Sequence, residues 1–100
     1  MLYKDRKIIF CDIDGTLKIG NKYNRKLINW LKGKYRDGYK IYTWSMRGKK
    51  YAEKHTNLAG VSKIIEESLS KPCILVDDEG WHWAKSTKVI NPTDILGSKQ

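Results

Sequence analysis

Two carboxylates, Asp12 and Asp14, are the side chains of this sequence best placed to do chemistry together. They lie in the stretch KIIFCDIDGTL, residues 7–17, where an apolar run leads into a glycine turn. If the extended backbone continues through Asp14, the two-residue period of a strand puts both carboxylates on one side. Two like charges held this close are costly unless a hard cation such as Mg²⁺, or a shared proton, neutralises them. The spacing therefore predicts a site that binds a cation or a proton.

Polar side chains follow three predicted strands, at the point where each strand ends. Asp12 and Asp14 follow the first strand, and Ser45 follows the second. Asp77 and Asp78 come directly after the apolar run PCILV, residues 72–76. In a parallel sheet, ligands bind beyond the carboxyl ends of the strands. We therefore expect these side chains to meet at one rim of the sheet.

The elements that must position these residues alternate between apolar runs and helical patterns. Asn24 is predicted to cap the first helix, and Gly38 stands where a helix-ending glycine is expected. The predicted elements, in chain order, are a hairpin over 18–23, a helix over 24–36, a strand over 39–44, a helix over 48–55, a buried strand over 72–76 and a last strand over 88–91. Residues 61–69 fit either a short strand around Ile64 and Ile65 or a helix.

This alternation predicts βαβ units and an α/β fold. We expect a three-layer Rossmann-like arrangement with a mainly parallel central sheet. The chain has 100 residues and no visible linker or repeat, so we expect a single domain over 1–100.

The charge balance is strongly basic. Lys and Arg total 20 against 11 Asp and Glu, which gives a formal net charge of +9. If four acids belong to one site, seven remain against all the bases. Such an excess either attracts polyanions such as nucleic acid or serves as a solvated surface, and the scattered bases leave both interpretations open.

Other compositional features concern the compartment. Cys11 and Cys73 both lie in apolar runs without a metal-binding motif, so we expect two buried free thiols. No apolar run approaches the roughly 20 residues that cross a bilayer, and MLYKDRK at the start lacks the apolar stretch of a signal peptide. We expect a cytoplasmic protein with no membrane association and no obligate protein partner.

The segment DIDGTL, residues 12–17, resembles the first motif of the haloacid-dehalogenase-like superfamily of phosphohydrolases. The second motif, a Ser or Thr ending the next strand, resembles YTWSMRG, residues 42–48, with Ser45 preferred and Thr43 as the alternative. Lys71 fits the third motif better than Lys63 does, and the acidic pair after PCILV resembles the fourth. The resemblance spans residues 7–78 and leaves no room for a cap domain, so it implies a capless, stand-alone member.

The resemblance implies a mechanism. Asp12 would be the nucleophile that forms an aspartyl-phosphate, and Asp14 would protonate the leaving alcohol and later activate water. Mg²⁺ would be held by Asp12, by the backbone carbonyl of Asp14 and by the fourth-motif acids, with Asp78 as the direct ligand and Asp77 in support. Ser45 and Lys71 would stabilise the transferring phosphoryl group; otherwise, Ser45 caps a helix and Lys71 is a surface lysine.

Other side chains near the predicted rim have two interpretations each. Arg47 and Lys49 either bind a substrate phosphate or are solvated charges. Trp44, Trp81 and Trp83 either stack on bases or pack in the core.

Two functions follow as hypotheses. The first is a Mg²⁺-dependent phosphomonoesterase whose open, capless site takes a phosphorylated substrate, with a nucleotide or a nucleic-acid terminal phosphate favoured by the basic surface. The alternative is a non-catalytic nucleic-acid-binding module on the same fold.

Overall fold

The computed structural model describes residues 6–80 and 87–97 of the chain. Trp81 and Trp83 lie outside the described residues. The regular elements are β1 (Ile8–Asp12), β2 (Lys18–Ile19), β3 (Lys22–Tyr23), α1 (Arg25–Arg36), β4 (Lys40–Ser45), α2 (Lys49–Leu58), a 3₁₀ turn (Ser62–Ile64), β5 (Ile65–Ser70) and α3 (Pro92–Gly97).

The central sheet has three parallel strands in the order β1-β4-β5. The strands follow one another in chain order, so right-handed crossovers place α1 and α2 on the same face. Alternate strand residues point toward these helices and are buried: Cys11, Ile41, Thr43 and Ser68. The α/β class and the parallel sheet are therefore as predicted.

The first helix forms where the sequence predicts it, because its start and its apolar face are both specified locally. Asn24 Oδ1 accepts a hydrogen bond from the Leu27 amide at 3.1 Å, which caps the helix. Leu27, Ile28 and Leu31 are buried in the core. Gly38 follows the helix with φ of 92°, a conformation that favours glycine.

The turn after β1 also follows the sequence. Gly15 has φ of 78°, and its amide donates to the Lys18 carbonyl at 2.8 Å. β2 and β3 then pair antiparallel as the short predicted hairpin. The turn brings Asp14 back beside Lys18 in an isolated bridge.

The third strand of the sheet is β5, which settles the ambiguity of residues 61–69 in favour of a strand. The predicted strand over 72–76 is wrong: this segment is irregular, with Ile74 76% and Val76 93% exposed. Cys73 is likewise exposed, so only Cys11 is a buried thiol as expected. The sequence of β5, IEESLS, has little apolar character. Its one buried residue, Ser68, is polar and is hydrogen-bonded to the buried hydroxyl of Thr43.

Two further predictions differ from the structure, one at the end of α2 and one for the last predicted strand. α2 continues to Leu58, beyond the predicted end at His55. The predicted strand over 88–91 is absent, since Pro92 starts α3 and Asn91 Oδ1 accepts from the Thr93 amide at 2.9 Å. Proline is well suited to the first helical position because its missing N–H would have no partner there.

The face of the sheet opposite α1 and α2, here called the outer face, carries Ile8, Phe10, Tyr42 and Trp44. Ile8 is 45% and Phe10 46% exposed, and Tyr42 and Trp44 are half-buried. Within residues 6–80 and 87–97 the fold thus consists of a sheet with α1 and α2 on one face. None of the described helices is long and apolar enough to cross a membrane.

Candidate functional site

Asp12 and Lys71 meet across the carboxyl end of the sheet. Asp12 ends β1, and Lys71 follows β5, two strands away. The Lys71 amide donates to the Ser45 carbonyl at 2.9 Å, which fixes its backbone beside the end of β4. From there Lys71 Nζ reaches 3.3 Å from Asp12 Oδ1 and lies 5.5 Å from the centre of the Trp44 ring. The pair is partly exposed, so an incoming anion could reach the ammonium group.

Asp14 is held through both of its carboxylate oxygens. Tyr51 donates its hydroxyl to Oδ1 at 2.7 Å, and Arg47 Nε lies 3.4 Å from Oδ2. The Arg47 guanidinium also lies 5.1 Å from the centre of the Tyr51 ring. The two acids of the DxD segment therefore have separate cationic partners, Lys71 for Asp12 and Arg47 for Asp14.

A chain of aromatic contacts extends from Asp14 into the core. The Tyr51 ring lies 4.5 Å from that of His55, whose Nδ1 is 2.8 Å from the Tyr23 hydroxyl. The hydrogen bond to Asp14 raises the pKa of Tyr51, because a phenolate would face a carboxylate. Burial and, next, the charge of Lys18 lower the pKa of His55. Tyr51 is thus a protonated donor fixed against a neutral imidazole at neutral pH.

Ser45 lies at the end of β4, as predicted, but its hydroxyl belongs to the turn after the strand. It accepts a hydrogen bond from the Arg47 amide at 2.9 Å and is only 3% exposed. The next helix begins after Gly48, so Ser45 shapes the turn that presents Arg47 and is not the helix cap.

Thr43, the alternative for this position, lies in the core. Its hydroxyl is 2.8 Å from that of Thr56 and 2.6 Å from that of Ser68, and it is completely buried. These three hydroxyls, here called the hydroxyl cluster, join β4, α2 and β5. This burial leaves Ser45 as the strand-end hydroxyl nearest the rim and places the hydroxyl of Thr43, the alternative to Ser45 as a substrate-binding group, in the core.

The acidic pair Asp77 and Asp78 is not brought to Asp12 and Asp14. Asp77 Oδ1 accepts from the Glu79 amide at 2.8 Å and closes an exposed turn. In the described parts of the chain, no three His, Cys, Asp or Glu side chains come together as a metal-binding group. The reason is that residues 72–76 form no strand beside β1 that would deliver the pair to the rim.

Two further lysines, Lys63 and Lys49, form no ion pair with Asp12 or Asp14 among the described contacts. Lys63 lies in the 3₁₀ turn before β5, at the end of the sheet away from Asp12. Lys49 Nζ is 3.4 Å from carboxylates of both Glu53 and Glu67 and donates to the Ser68 carbonyl at 2.8 Å. Of the predicted phosphate-binding cations, Lys71 and Arg47 are the two beside the DxD segment.

Sequence reasoning missed Tyr51. The available signal was its place in the first turn of the helix that follows β4, four residues after Arg47. That turn starts at the same rim as Asp14, so a hydrogen-bonding side chain there was a candidate partner.

Buried Cys11 adjoins the site but is chemically quiet. Burial, and next the charge of Asp12, raise its pKa to about 12. Its thiolate is therefore negligible at neutral pH.

Comparison with known proteins gave no assignment: no protein-family model, no curated protein and no solved structure matches this chain.

Proposed function

We propose that this protein is a Mg²⁺-dependent phosphomonoesterase of the haloacid-dehalogenase-like type, acting through an aspartyl-phosphate. The observation that supports it most is the contact between Asp12 and Lys71, at 3.3 Å across the rim of the sheet. These were the nucleophile and the phosphate-binding lysine implied by the resemblance. They belong to the two opposite edge strands of the described sheet and meet at its carboxyl end.

In the proposed reaction, a carboxylate oxygen of Asp12 attacks phosphorus and the bond from phosphorus to the ester oxygen breaks. Asp14 gives a proton to that leaving oxygen. In the second step Asp14 takes a proton from water, the water oxygen attacks phosphorus, and the bond from the Asp12 oxygen to phosphorus breaks, which releases Asp12 and inorganic phosphate. Splitting the hydrolysis in two replaces one difficult displacement by two easier ones.

Lys71 and Arg47 have the charge that this chemistry needs. Lys71 would move from Asp12 to the phosphoryl oxygens, where it offsets the charge that develops in the transition state. Arg47, 68% exposed at its side chain, would bind a second phosphoryl oxygen and leave Asp14 free to exchange protons. Tyr51 would keep the Asp14 carboxyl oriented during this exchange. Ser45 would act by holding the turn of Arg47.

Mg²⁺ is the proposed cofactor, and the donor chemistry at the rim suits it in part. Asp12 offers a carboxylate on a side chain that is 38% exposed, and Asp14 would offer its backbone carbonyl; Mg²⁺ commonly takes only one or two carboxylates from a protein and keeps several waters. When bound, the ion would offset charge between the Asp12 carboxylate and the phosphate. Asp78 and Asp77 would join it only if residues 72–80 moved against β1. A strand there would also widen the sheet toward the proposed Rossmann-like arrangement.

A rim that is open in the described residues, 6–80 and 87–97, suits a phosphate at the end of a larger molecule. Together with the net charge of +9, this favours nucleotides or nucleic-acid terminal phosphates as substrates. Both cysteines are free thiols, which is typical of a reducing compartment, and we infer a cytoplasmic location from that.

The test is hydrolysis of an aryl phosphate with and without Mg²⁺ by the wild type and by Asp12→Asn. We expect turnover that requires Mg²⁺ and disappears in Asp12→Asn. Asp37→Asn, the same chemical change at an exposed acid after α1, is the matched control and should retain activity. A folded wild type that hydrolyses no phosphomonoester with Mg²⁺ would rule the proposal out.

A further inference from the structure

We propose that the outer face of the sheet binds single-stranded nucleic acid by stacking bases on Phe10 and Trp44, with the terminal phosphate of the strand at Asp12 and Lys71. The stacking part stands on the outer face alone. The placement of the terminal phosphate rests on the proposed function.

The rings of the outer face form a connected aromatic surface. Phe10 packs edge-on against Trp44, with ring centres 4.6 Å apart, and lies 5.4 Å from Tyr42. Almost half of Phe10 is exposed although it lies in the middle of a strand. Each base has a π-face, so aromatic rings held open on a sheet bind single strands with little dependence on sequence.

The charges around these rings favour a polyanion. Lys40, exposed, is in register with Ile8 at one end of the outer face, and Lys71 lies over the Trp44 ring at the other. Asp12 is paired with Lys71, and Glu67, the neighbour of Tyr42 on β5, lies 3.4 Å from Lys49. Each of these two acids thus has a cation within 3.4 Å.

The net charge decides between possible occupants. Two copies of a chain with a charge of +9 repel each other, so self-association through the outer face would work against this charge. A nucleic acid instead releases counterions when lysines approach its phosphates, which favours binding at low salt.

The outer face also lies next to the candidate site. Asp12 follows Phe10 by two residues, about 6.6 Å along a strand, and is directly opposite Trp44 in the register. This separation is comparable to that between the base and the phosphate of one nucleotide. A base stacked on Phe10 or Trp44 would therefore have its own phosphate within reach of Lys71.

The experiment measures binding of two unphosphorylated 12-residue oligomers at low salt, oligothymidylate and an abasic oligomer with the same number of phosphates. We expect the wild type to bind oligothymidylate about tenfold more tightly, because only this oligomer has bases that can stack on the aromatic rings. Phe10→Leu and Trp44→Leu should each lose most of this preference and leave the abasic affinity unchanged. Tyr35→Leu, which removes an equally exposed ring on α1, should keep it.

Three results would overturn the proposal. The first is equal affinity of the wild type for both oligomers. The second is an unchanged preference for oligothymidylate in both Phe10→Leu and Trp44→Leu, whether or not their thermal stability falls. That result would mean that the chain itself covers the outer face. The third is a wild-type dimer that becomes a monomer in Phe10→Leu with unchanged oligomer binding. Hydrolysis of glycerol phosphate, which has no base, tests the proposed function separately, so failure of one is distinguishable from failure of the other.

Discussion

Lys71 Nζ lies 3.3 Å from Asp12 Oδ1, although Asp12 ends β1, Lys71 follows β5, and β4 separates these two strands. The contact depends on the parallel direction of the three strands, because parallel strands have their carboxyl ends at the same rim of the sheet. Both side chains are about one-third exposed, and an ion pair of this kind adds only about 0–1 kcal/mol to stability. Its contribution to stability is therefore small, and the first prediction separates that contribution from the proposed activity.

Lys71→Gln should leave the fold nearly as stable as the wild type and remove most activity. We expect the free energy of unfolding to change by less than about 1 kcal/mol and kcat/KM for an aryl phosphate to fall by about 100-fold or more. Denaturant unfolding and steady-state kinetics measure the two. Lys63→Gln is the control, and an equal loss of activity in both variants would contradict the assignment of Lys71.

The phenol of Tyr51 should titrate above its usual value of 10.0, because its hydrogen bond to Asp14 favours the protonated form. A raised pKa in the folded state means that this stabilisation is complete below pH 10 and is lost as the pH rises through the folded value. The difference in phenolate absorbance between wild type and Tyr51→Phe isolates this group. Asp14→Asn should bring its pKa back toward the usual value, and an unchanged titration would show that the contact is absent in solution.

Stability should fall on acidification through the titration of His55. Its pKa is lowered by burial, so the unfolded chain takes up the proton first and folding weakens as the pH falls below 6.5. Above pH 6.5 this contribution is constant. Denaturant unfolding between pH 5 and 8 should show the decline in the wild type and a smaller one in His55→Gln, and an equal decline in both would assign it to other groups.

Loss of the Thr43 hydroxyl should mainly lower stability, and loss of the Ser45 hydroxyl should mainly lower the proposed activity. Thr43→Val removes the shared partner of the Thr56 and Ser68 hydroxyls, which remain 3.3 Å from each other, and should cost about 1 kcal/mol of unfolding free energy. Thr43→Ser, which keeps the hydroxyl, should recover most of this loss. Ser45→Ala frees the turn of Arg47 and should lower kcat/KM by a larger factor than Thr43→Ser does. The reverse order would make Thr43 the functional residue of this strand.

Much of the amino-terminal half could be predicted because its signals are local. The run before Asp12, the glycine turn and the Asn24 cap each act within a few residues, and all three are present in the structure. The contact of Asp12 with Lys71 could be expected from parallel topology together with the resemblance.

The strand over 72–76 was predicted from apolar character, and that signal was misleading. β5 has two glutamates and two serines in six residues, yet it pairs with β4 because Ser68 finds Thr43 and Thr56 inside the core. The hydrophobic pattern of a sequence does not reveal a strand whose buried side chain is polar and hydrogen-bonded. Tyr51 was missed for a related reason, since its role depends on where a helix begins relative to the rim.

The hydroxyl cluster has a consequence for the motions of the rim. It ties β4, α2 and β5 at their buried sides, while Ser45 and Gly48 hold the two ends of the turn that carries Arg47. The turn is thus anchored to elements that should unfold together as one cooperative unit. The backbone amide hydrogens of the turn should therefore exchange with solvent at the rate at which that unit unfolds. The guanidinium facing Asp14 would then depart only by rotation of its own side chain, in nanoseconds, and the backbone beneath it would stay in place.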